Sequence, residues 1–445
     1  MLRRRLIMIL FAIAVLGIIG WLMLRPHPAE LSVEAVSGPT PHISPPREET
    51  IPMMNVAEAV GWPDGEMPTA AQGLAVNEFA ADLDHPRWMQ TLANGDVLVA
   101  ETNSPPRDVG GITGWVTKRL MTRAGAAGPS ADRITLLRDV DGDGTADQHT
   151  ALLTADDGLN SPFGMVVSDG FLYVANTDAL IRFPFEPGQT SIEGEGEKIV
   201  DLPGGGNHWT RDVVVHPDDP NLFYVSVGST SNIGENGVNA EENRAAVLEV
   251  NVANRDFRIF TAGMRNPVGL AWEPRTKRLF AVVNERDMLG GDLVPDYLSE
   301  VEFGAHYGWP GVYWGRYLDE RVVPMTPRMV EYARVPDYAL GPHTASLGLT
   351  FADRTRLGSR FANGAFIGQH GSWNRRPPSG YKVVFVRFEN GRPVGEMIDV
   401  LTGFLNEDGQ ARGRPVGVAA DRTGALLVAD DVGNRIWRVS AARSR

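Results

Sequence analysis

A short phrase that leads into an apolar run recurs six times along this 445-residue chain. The clearest copy reads Arg-Asn-Pro-Val-Gly at residues 265–269. The other copies lie at residues 85–88, 160–164, 208–212, 343–348 and 414–417. Each is followed by an apolar run, a turn that usually contains Gly, Asp or Asn, and a second apolar run. A strand–turn–strand unit cannot bury its apolar face alone, so six copies predict a toroidal repeat.

The apolar runs have the composition of strands. Residues 97–100, 223–227, 383–386 and 436–439 are β-branched or aromatic and are bounded by Gly, Asp or Asn, whereas helical periodicity is poor throughout. We therefore predict an all-β domain, a six-bladed β-propeller, over residues 73–445. A β-sandwich would show fewer and more evenly spaced strands.

The propeller prediction has two finer parts. An early strand commonly completes the last blade of such a ring, and residues 74–79 are the candidate, pairing near residues 436–439. Each repeat is longer than a minimal four-stranded blade, so some connections carry insertions. The expected insertions are residues 104–133 and 286–337.

The N-terminal 24 residues differ from the rest. Arg3, Arg4 and Arg5 precede an uncharged apolar run at residues 6–24, which is just long enough to cross a hydrocarbon core. We expect residues 1–24 to form an N-terminal transmembrane helix in the inner membrane, with the body in the periplasm. A cleaved signal peptide is the alternative. Residues 25–72 are rich in proline and are expected to form a stalk with little packed structure.

Composition excludes several classes of function. The chain contains no cysteine, which rules out disulfides, a thiol nucleophile and a covalent haem motif of its own. Its formal net charge of −13 argues against nucleic acid as a partner, and against an anionic membrane surface as a partner of the soluble part.

In a propeller, the six phrases would converge on one mouth of the central channel. They bring a ring of basic and amide side chains to that point, which suits a polyanionic ligand because arginine offers forked donors to carboxylates. The ring consists of His85, Arg87, Asn160, His208, Arg211, Asp212, Arg265, Asn266, His343, Thr344, Arg412 and Arg414. For any single histidine in a turn, a local hydrogen bond is the simpler explanation.

A separate acidic run has the spacing of a calcium loop. Asp139, Asp141, Asp143 and Asp147 follow the Asp-x-Asp-x-Asp-Gly pattern, in which glycine permits the tight bend. Position twelve of the loop is Thr150 rather than the bidentate glutamate, and the run follows a strand-like segment. A calcium site and an acidic hairpin turn both remain open.

Several phrases together resemble the sorbosone dehydrogenase group, a branch of the soluble pyrroloquinoline-quinone (PQQ) glucose dehydrogenase family of six-bladed propellers. The resemblance covers residues 73–440. The phrases are Glu-Thr-Asn at 101–103, Asn-His at 207–208, Gly-Met-Arg-Asn-Pro-Val-Gly-Leu at 263–270, Asn-Glu-Arg-Asp at 284–287, Tyr-Gly-Trp-Pro at 307–310 and Gly-Gln-His-Gly-Ser-Trp-Asn-Arg at 368–375.

The resemblance implies site residues. His208 corresponds to the catalytic base, and Arg265 to the group that stabilises charge on the quinone oxygen. The expected cofactor contacts are Asn266, Arg412, Arg414, His343, Thr344 and Asn160. A calcium ion beside the quinone is expected on main-chain carbonyls near residues 284–287. Candidates for the family's cofactor-binding lysine are Lys382, Arg375 and Arg376.

The implied reaction is hydride transfer from a sugar, aldose or sugar-derived aldehyde to PQQ, with the electrons passed to an external cytochrome or membrane quinone. The chain has Val268 and Leu159 where the glucose enzymes have glutamine, and Ser229 where they have aspartate, which argues against glucose as the substrate. Two other functions stay open: a calcium-dependent propeller lactonase, which needs acidic ligands at the mouth, and a non-catalytic ligand-binding propeller.

Overall fold

Six antiparallel sheets, each built on four main strands, form a ring in the computed structural model, which confirms the predicted all-β six-bladed propeller. The structure describes residues 27–106 and 111–442, with isolated positions among residues 4–17. The innermost strand of each blade contacts the innermost strands of its neighbours, so these strands line the channel.

The strands of each blade run from the channel outward. Blade 1 consists of Pro86–Thr91, Val97–Glu101, Arg133–Arg138 and Gln148–Leu153. Blade 2 consists of Met165–Ser168, Phe171–Ala175, Ala179–Pro184 and Glu197–Asp201. Blade 3 consists of Val213–His216, Asp219–Val227, Ala246–Asn251 and Asp256–Ala262. Blade 4 consists of Asn266–Trp272, Leu279–Asn284, Pro295–Glu300 and Tyr338–Pro342. Blade 5 consists of Ser346–Phe351, Gly364–Gln369, Lys382–Glu389 and Arg392–Thr402. Blade 6 consists of Pro415–Ala420, Leu426–Asp430, Arg435–Ala441 and Leu74–Ala80.

The remaining elements are short and lie in the connections. The described helices are Gly111–Arg123 and Met329–Tyr332. Single 3-10 turns occupy Glu34–Val36, Ala155–Asp157, Val238–Glu241, Ala352–Arg354 and Ser359–Phe361, and a small hairpin pairs Val312–Tyr313 with Tyr317–Leu318.

The glycine that ends the recurring phrase has a packing cause. A Cβ atom at Gly269 would lie 2.5 Å from the carbonyl oxygen of Leu347, in the next blade. A Cβ at Gly348 would overlap the carbonyl oxygen of Val416. The same close contact with the next blade recurs at Gly164 and Gly417. Only glycine permits innermost strands to approach so closely, which explains why four of the six phrases end in glycine.

The last blade is closed by the strand Leu74–Ala80, which pairs antiparallel with Arg435–Ala441. This confirms the predicted closing strand, and Trp437, opposite Glu78, is fully buried. One predicted insertion also holds the helix Gly111–Arg123. The other was placed too early, because the third strand of blade 4, Pro295–Glu300, lies inside it. This strand contains a proline and two acidic residues, so the pattern of apolar runs did not predict it.

The proline-rich segment before the first blade is packed on the propeller. Val36 is fully buried, Ser37–Gly38 extends blade 4, and Thr69–Ala70 extends blade 5. The indole of Trp62 donates to Asp430 Oδ2 at 2.7 Å and packs on Trp437. The expectation of an unpacked stalk is therefore wrong for residues 27–70, because isolated apolar anchors hold a segment that has no periodic pattern.

The predicted anchor at residues 6–24 falls almost entirely outside the described residues. Within the residues that the structure describes, no helix is both long and apolar enough to cross a membrane.

The close contact between blades gives a test of the fold. We expect Gly348→Ala to lower the free energy of unfolding by about 1–3 kcal/mol, since its methyl group would overlap backbone of the next blade. The matched control is Gly128→Ala, where a Cβ would meet no atom within 4 Å. Equal denaturation midpoints for the two variants would contradict the interblade contact.

Candidate active site at the mouth of the channel

Two sets of loops meet at one end of the channel. In each antiparallel blade, the innermost strand begins at the end where the second strand finishes and the third begins. The loops that carry the recurring phrase and the loops between the second and third strands therefore share that end. A cavity of about 150 Å³ opens there. It is lined by His208, Arg265, Asn266, Asn284, Glu285, Asp287, Asp296, His343, Ala345, Trp373 and Asn374.

His208 is half-buried on the wall of this cavity. Its Nδ1 atom lies 2.8 Å from the carbonyl oxygen of Ser229 and 3.0 Å from the hydroxyl of the same residue. A carbonyl oxygen only accepts, so Nδ1 carries the proton and Nε2 is the basic nitrogen. A Cβ at Gly228 would overlap Asn266 Oδ1 and lie 2.5 Å from His208 Cβ, so this glycine lets the two side chains lie side by side.

Arg265 is held rigidly by acceptors of the protein. Nε donates to the Asn232 carbonyl oxygen at 3.1 Å, Nη2 donates to Asn232 Oδ1 at 3.0 Å, and Nη1 donates to the Glu285 carbonyl oxygen at 2.8 Å. Nη2 also lies 3.7 Å from Asp287 Oδ2. The guanidinium therefore fixes two loops of the mouth and presents a positive charge of fixed position to the cavity.

Three carboxyl groups of the mouth have very different acidities. Burial raises the pKa of Glu285 to about 7, although the charge of Arg265 opposes the shift. Burial likewise raises the pKa of Asp296 to about 6. Burial also disfavours ionised Asp287, but the hydrogen bond from His343 and the charge of Arg265 outweigh it and lower the pKa of Asp287 to about 2.

The charge on Asp287 in turn affects His343. Its Nδ1 lies 3.3 Å from Asp287 Oδ1, and its Nε2 lies 3.2 Å from the Gly290 carbonyl oxygen. Burial alone would lower the pKa of His343, but the contact with Asp287 outweighs it and the pKa is raised. Asp287, His343 and Arg265 thus form a buried charged group on one side of the mouth.

A second polar group comes from the loops of blades 1, 5 and 6. Arg87 donates to Asp431 Oδ2 at 2.6 Å, and His370 Nε2 lies 2.9 Å from the same atom. Burial lowers the pKa of His370 to about 4, against the charge of Asp431. The guanidinium of Arg414 lies 5.0 Å from the centre of the Tyr381 ring.

Several buried polar atoms have no hydrogen-bond partner among the described residues. They include Asn266 Oδ1 and Asn374 Oδ1, of residues that line the cavity, and Arg87 Nε and Arg414 Nε of the second group. Leaving such an atom unpaired costs about 1–3 kcal/mol, so a cluster of them calls for an explanation. A polar ligand that carries both acceptors and donors would satisfy them.

The structure brings together part of the predicted ring. His208, Arg265, Asn266 and His343 line the cavity, and Arg87 and Arg414 belong to the second group. The buried Thr344 donates to Asp296 at 3.0 Å. Other members point elsewhere: Asn160 is exposed and donates to Asp178, Arg412 pairs with Glu66 at 2.8 Å, and Arg211 donates to backbone carbonyls.

The candidates for a cofactor-binding lysine lie away from the cavity. Lys382 pairs with Asp399 at 2.7 Å, the buried Arg375 donates to the carbonyl oxygens of Gly291 and Leu31, and Arg376 donates to Asn55.

Sequence reasoning gave no role to several residues of the mouth. Glu285, Asp296, Trp373 and Asn374 line the cavity, and His370 and Asp431 form the core of the second group. Most follow the second strand of a blade. The signal was present, because the second and third strands of an antiparallel blade join at the same end as the recurring phrase.

The acidic run of blade 1 lies at the other end of its third strand, in the turn between Arg133–Arg138 and Gln148–Leu153. Oxygen atoms of Asp139, Asp141 and Asp147 lie within 4.8 Å of one another. Asp143 instead accepts from the backbone of Thr145 at 2.8 Å, and Asp139 accepts from Gly142 and Gly144. These bonds suffice for an acidic turn, so the calcium site stays a prediction.

The sequence matches the TrAA12-like family over residues 130–295 and 330–442, which together make up more than half of the chain. The chain belongs to the TrAA12-like family.

Among individual relatives, a PQQ-dependent pyranose dehydrogenase of Coprinopsis cinerea is 28% identical over 224 residues, which are 40% of this chain and 30% of that protein. The holo PQQ domain of that fungus's pyranose dehydrogenase superposes with a TM-score of 0.67 at 20% identity, over 86% of this chain and 100% of the domain. A calcium structure of a Trichoderma reesei enzyme of family AA12 superposes with a TM-score of 0.68 at 18% identity, over 88% of this chain and 100% of that one. These superpositions show a shared fold.

The acidity of Glu285 gives a test of the mouth. Because folding raises its pKa from 4.5 to about 7, this carboxyl lowers stability as pH rises through that range, and its cost is complete above the folded pKa. The Glu285→Gln substitution removes this carboxyl. The free energy of unfolding of the variant minus that of the wild type should therefore be larger at pH 8 than at pH 4.5, by on the order of 3 kcal/mol. Chemical denaturation at both pH values measures this, with the exposed Glu407→Gln as control. An equal difference at both pH values would contradict the assigned acidity.

Proposed function

We propose that this chain is a PQQ-dependent oxidoreductase that oxidises a sugar, an aldose or a sugar-derived aldehyde. The observation that carries the proposal is the mouth itself, where a histidine with a fixed tautomer stands beside buried donors and acceptors that lack partners. Membership of the TrAA12-like family and the fold shared with a holo PQQ domain support the choice of cofactor.

The residues of the mouth suit PQQ, which carries carboxylates and a quinone. Arg414 has a buried Nε without a partner and lies over Tyr381, so it can donate to a carboxylate of a planar ring system. Arg87 offers a second unpaired Nε. Asn266 and the rigid guanidinium of Arg265 lie next to His208 and would face the quinone. When bound, PQQ supplies the two-electron redox chemistry.

The protein's part in the reaction is proton transfer and orientation. His208 Nε2 would accept the proton of the substrate hydroxyl, and the Ser229 carbonyl would hold the resulting imidazolium through Nδ1. Arg265 needs no rearrangement to stabilise developing negative charge, because Asn232 and Glu285 already hold it in place.

The finer parts of the proposal come from the sequence. The phrases at 284–287 and 368–375 favour the sorbosone dehydrogenase branch, with calcium beside the cofactor near residues 284–287. Since the chain has no cysteine for covalent haem, the electrons would pass to a separate cytochrome or membrane quinone. We further propose that residues 6–24 anchor the protein in the inner membrane and that the propeller lies in the periplasm.

A lactonase is the second candidate, because Glu285, Asp287 and Asp296 supply the acidic groups that the sequence did not predict at the mouth. Against it, Asp287 is engaged by His343 and Asn374, and Asp296 accepts from Thr344 and from the backbone of Ser346. Within the described residues, no three ligand atoms from His, Asp or Glu side chains converge at the mouth.

The direct test is dye reduction by the full chain with PQQ and calcium against a panel of aldoses, polyols, aldehydes and lactones. We expect cofactor-dependent dye reduction with at least one sugar or aldehyde. His208→Asn should lower kcat by about 10²–10⁴-fold while PQQ still binds. Calcium-dependent lactone hydrolysis that persists without PQQ and in His208→Asn would overturn the oxidoreductase in favour of the lactonase.

Arg414 and Arg412 form a matched pair for cofactor binding. Arg414→Ala removes a buried charged donor at the mouth and should weaken PQQ binding by about 1.5–3 kcal/mol, roughly 10–150-fold. Arg412→Ala removes an arginine that pairs with Glu66 and should leave the affinity nearly unchanged. Fluorescence titration measures both affinities. Equal losses in the two variants would show that both arginines contact the cofactor, as the sequence resemblance implied, and would contradict the geometric distinction.

A further inference from the structure

Residues 27–29 lie on the rim of the mouth. The backbone of Gly291 donates to the carbonyl oxygen of His27 at 3.0 Å, and the backbone of Ala29 donates to the carbonyl oxygen of Arg376 at 3.0 Å. Both partners belong to the loops that also carry the cavity residues 285–287 and 373–374. His27 is three residues beyond the apolar run at 6–24, a span of at most about 10 Å. A membrane anchored by that run would therefore lie beside the mouth.

The helix Gly111–Arg123 lies at the same end of the propeller. It connects the second and third strands of blade 1, and its Arg123 carbonyl accepts from Ala59 at 2.8 Å. Trp115 is 64% exposed and Val116 is 39% exposed. A groove of about 680 Å³ runs between this helix and residues 58–59.

The charge of this helix is opposite to that of the whole chain. It contains Lys118, Arg119 and Arg123 and no acidic residue, whereas the chain has a net charge of −13. Among the described residues, the carboxylate of Glu58 lies 3.9 Å from Arg123. Exposed tryptophan, lysine and arginine are residue types that occur in helices lying in the headgroup region of a bilayer.

Residues 51–60, which lie next to the helix, add exposed apolar side chains at the same end of the propeller. The backbone of this segment bonds to Trp373 through Asn55 and to Arg123 through Ala59, which fixes it on the rim. Its exposed large side chains are Ile51, Met54 and Val60.

We infer that the end of the propeller with the site mouth faces the membrane, and that helix Gly111–Arg123 contacts anionic lipid headgroups. The inference rests on the proposed anchor and is independent of the sugar chemistry. Three observations carry it: residues 27–29 are hydrogen-bonded to this rim, the helix here is basic, and its tryptophan is exposed. The net negative charge does not oppose it, because attraction to lipid depends on the charge within about one Debye length of the surface. An electron acceptor that resides in the membrane would then meet the mouth directly.

The absence of native cysteine permits a matched labelling test on the full chain. Val116→Cys places a nitroxide on the helix, and Val140→Cys places one in the turn at the other end of the third strand of blade 1; both valines are exposed. The protein is reconstituted in vesicles of phosphatidylcholine with and without phosphatidylglycerol. Collision rates with oxygen and with a water-soluble nickel chelate report depth.

With phosphatidylglycerol present, we expect the ratio of oxygen to nickel collisions to rise several-fold at residue 116 and to stay unchanged at residue 140. An unchanged ratio at residue 116 on vesicles that carry the protein would overturn the inference. So would a change at residue 116 that appears only on adding a soluble acceptor protein, because the surface would then be a protein-docking site.

Charge reversal tests the headgroup contact separately. Lys118→Glu with Arg119→Glu should remove the effect of phosphatidylglycerol at residue 116 while leaving vesicle sedimentation and dye reduction unchanged. Persistence of the full effect in this variant would overturn the electrostatic contact. Failure of the full chain to sediment with vesicles would overturn the anchor and this inference together. Dye reduction in detergent would still test the oxidoreductase.

Discussion

The close approach of neighbouring innermost strands holds the blades of the ring together. At Gly164, Gly269, Gly348 and Gly417 a Cβ atom would strike the backbone of the next blade. This contact requires glycine at one position in four of the six phrases. The residues just before that glycine lie at the end of the channel and are not needed for the contact. Arg265 and Asn266 occupy such positions, so one phrase specifies both the ring and a part of its site.

Polar groups of the mouth are held in place before any ligand arrives. Arg265 donates to Asn232 and Glu285, and Asp287 joins this group to His343 and Asn374. The low pKa of Asp287 keeps its charge, whereas burial raises the pKa of Glu285 to about 7. A site that combines fixed charges with unpaired donors and acceptors can orient a polar cofactor and stabilise charge without rearranging itself.

The repeat in the sequence was sufficient to predict the blades, the closing strand at 74–79 and the position of four cavity residues. It was not sufficient to predict side-chain direction. Arg412 and Arg414 stand two residues apart, yet Arg412 pairs with Glu66 while Arg414 lies over Tyr381. Glu66 belongs to the proline-rich segment, whose contacts with the propeller are long-range and follow no periodic pattern. The topology of the blade places Glu285 at the mouth, but the raised pKa values of Glu285 and Asp296 depend on burial, which no short motif reports.

We propose that the mouth of the channel is the cofactor site. The test is a crystal structure of the full chain grown with PQQ and calcium. We expect cofactor density at the mouth, bounded by His208 and Asn266 on one side and by Arg414 on the other. A mouth that contains only solvent, with PQQ bound elsewhere or not at all, would contradict it.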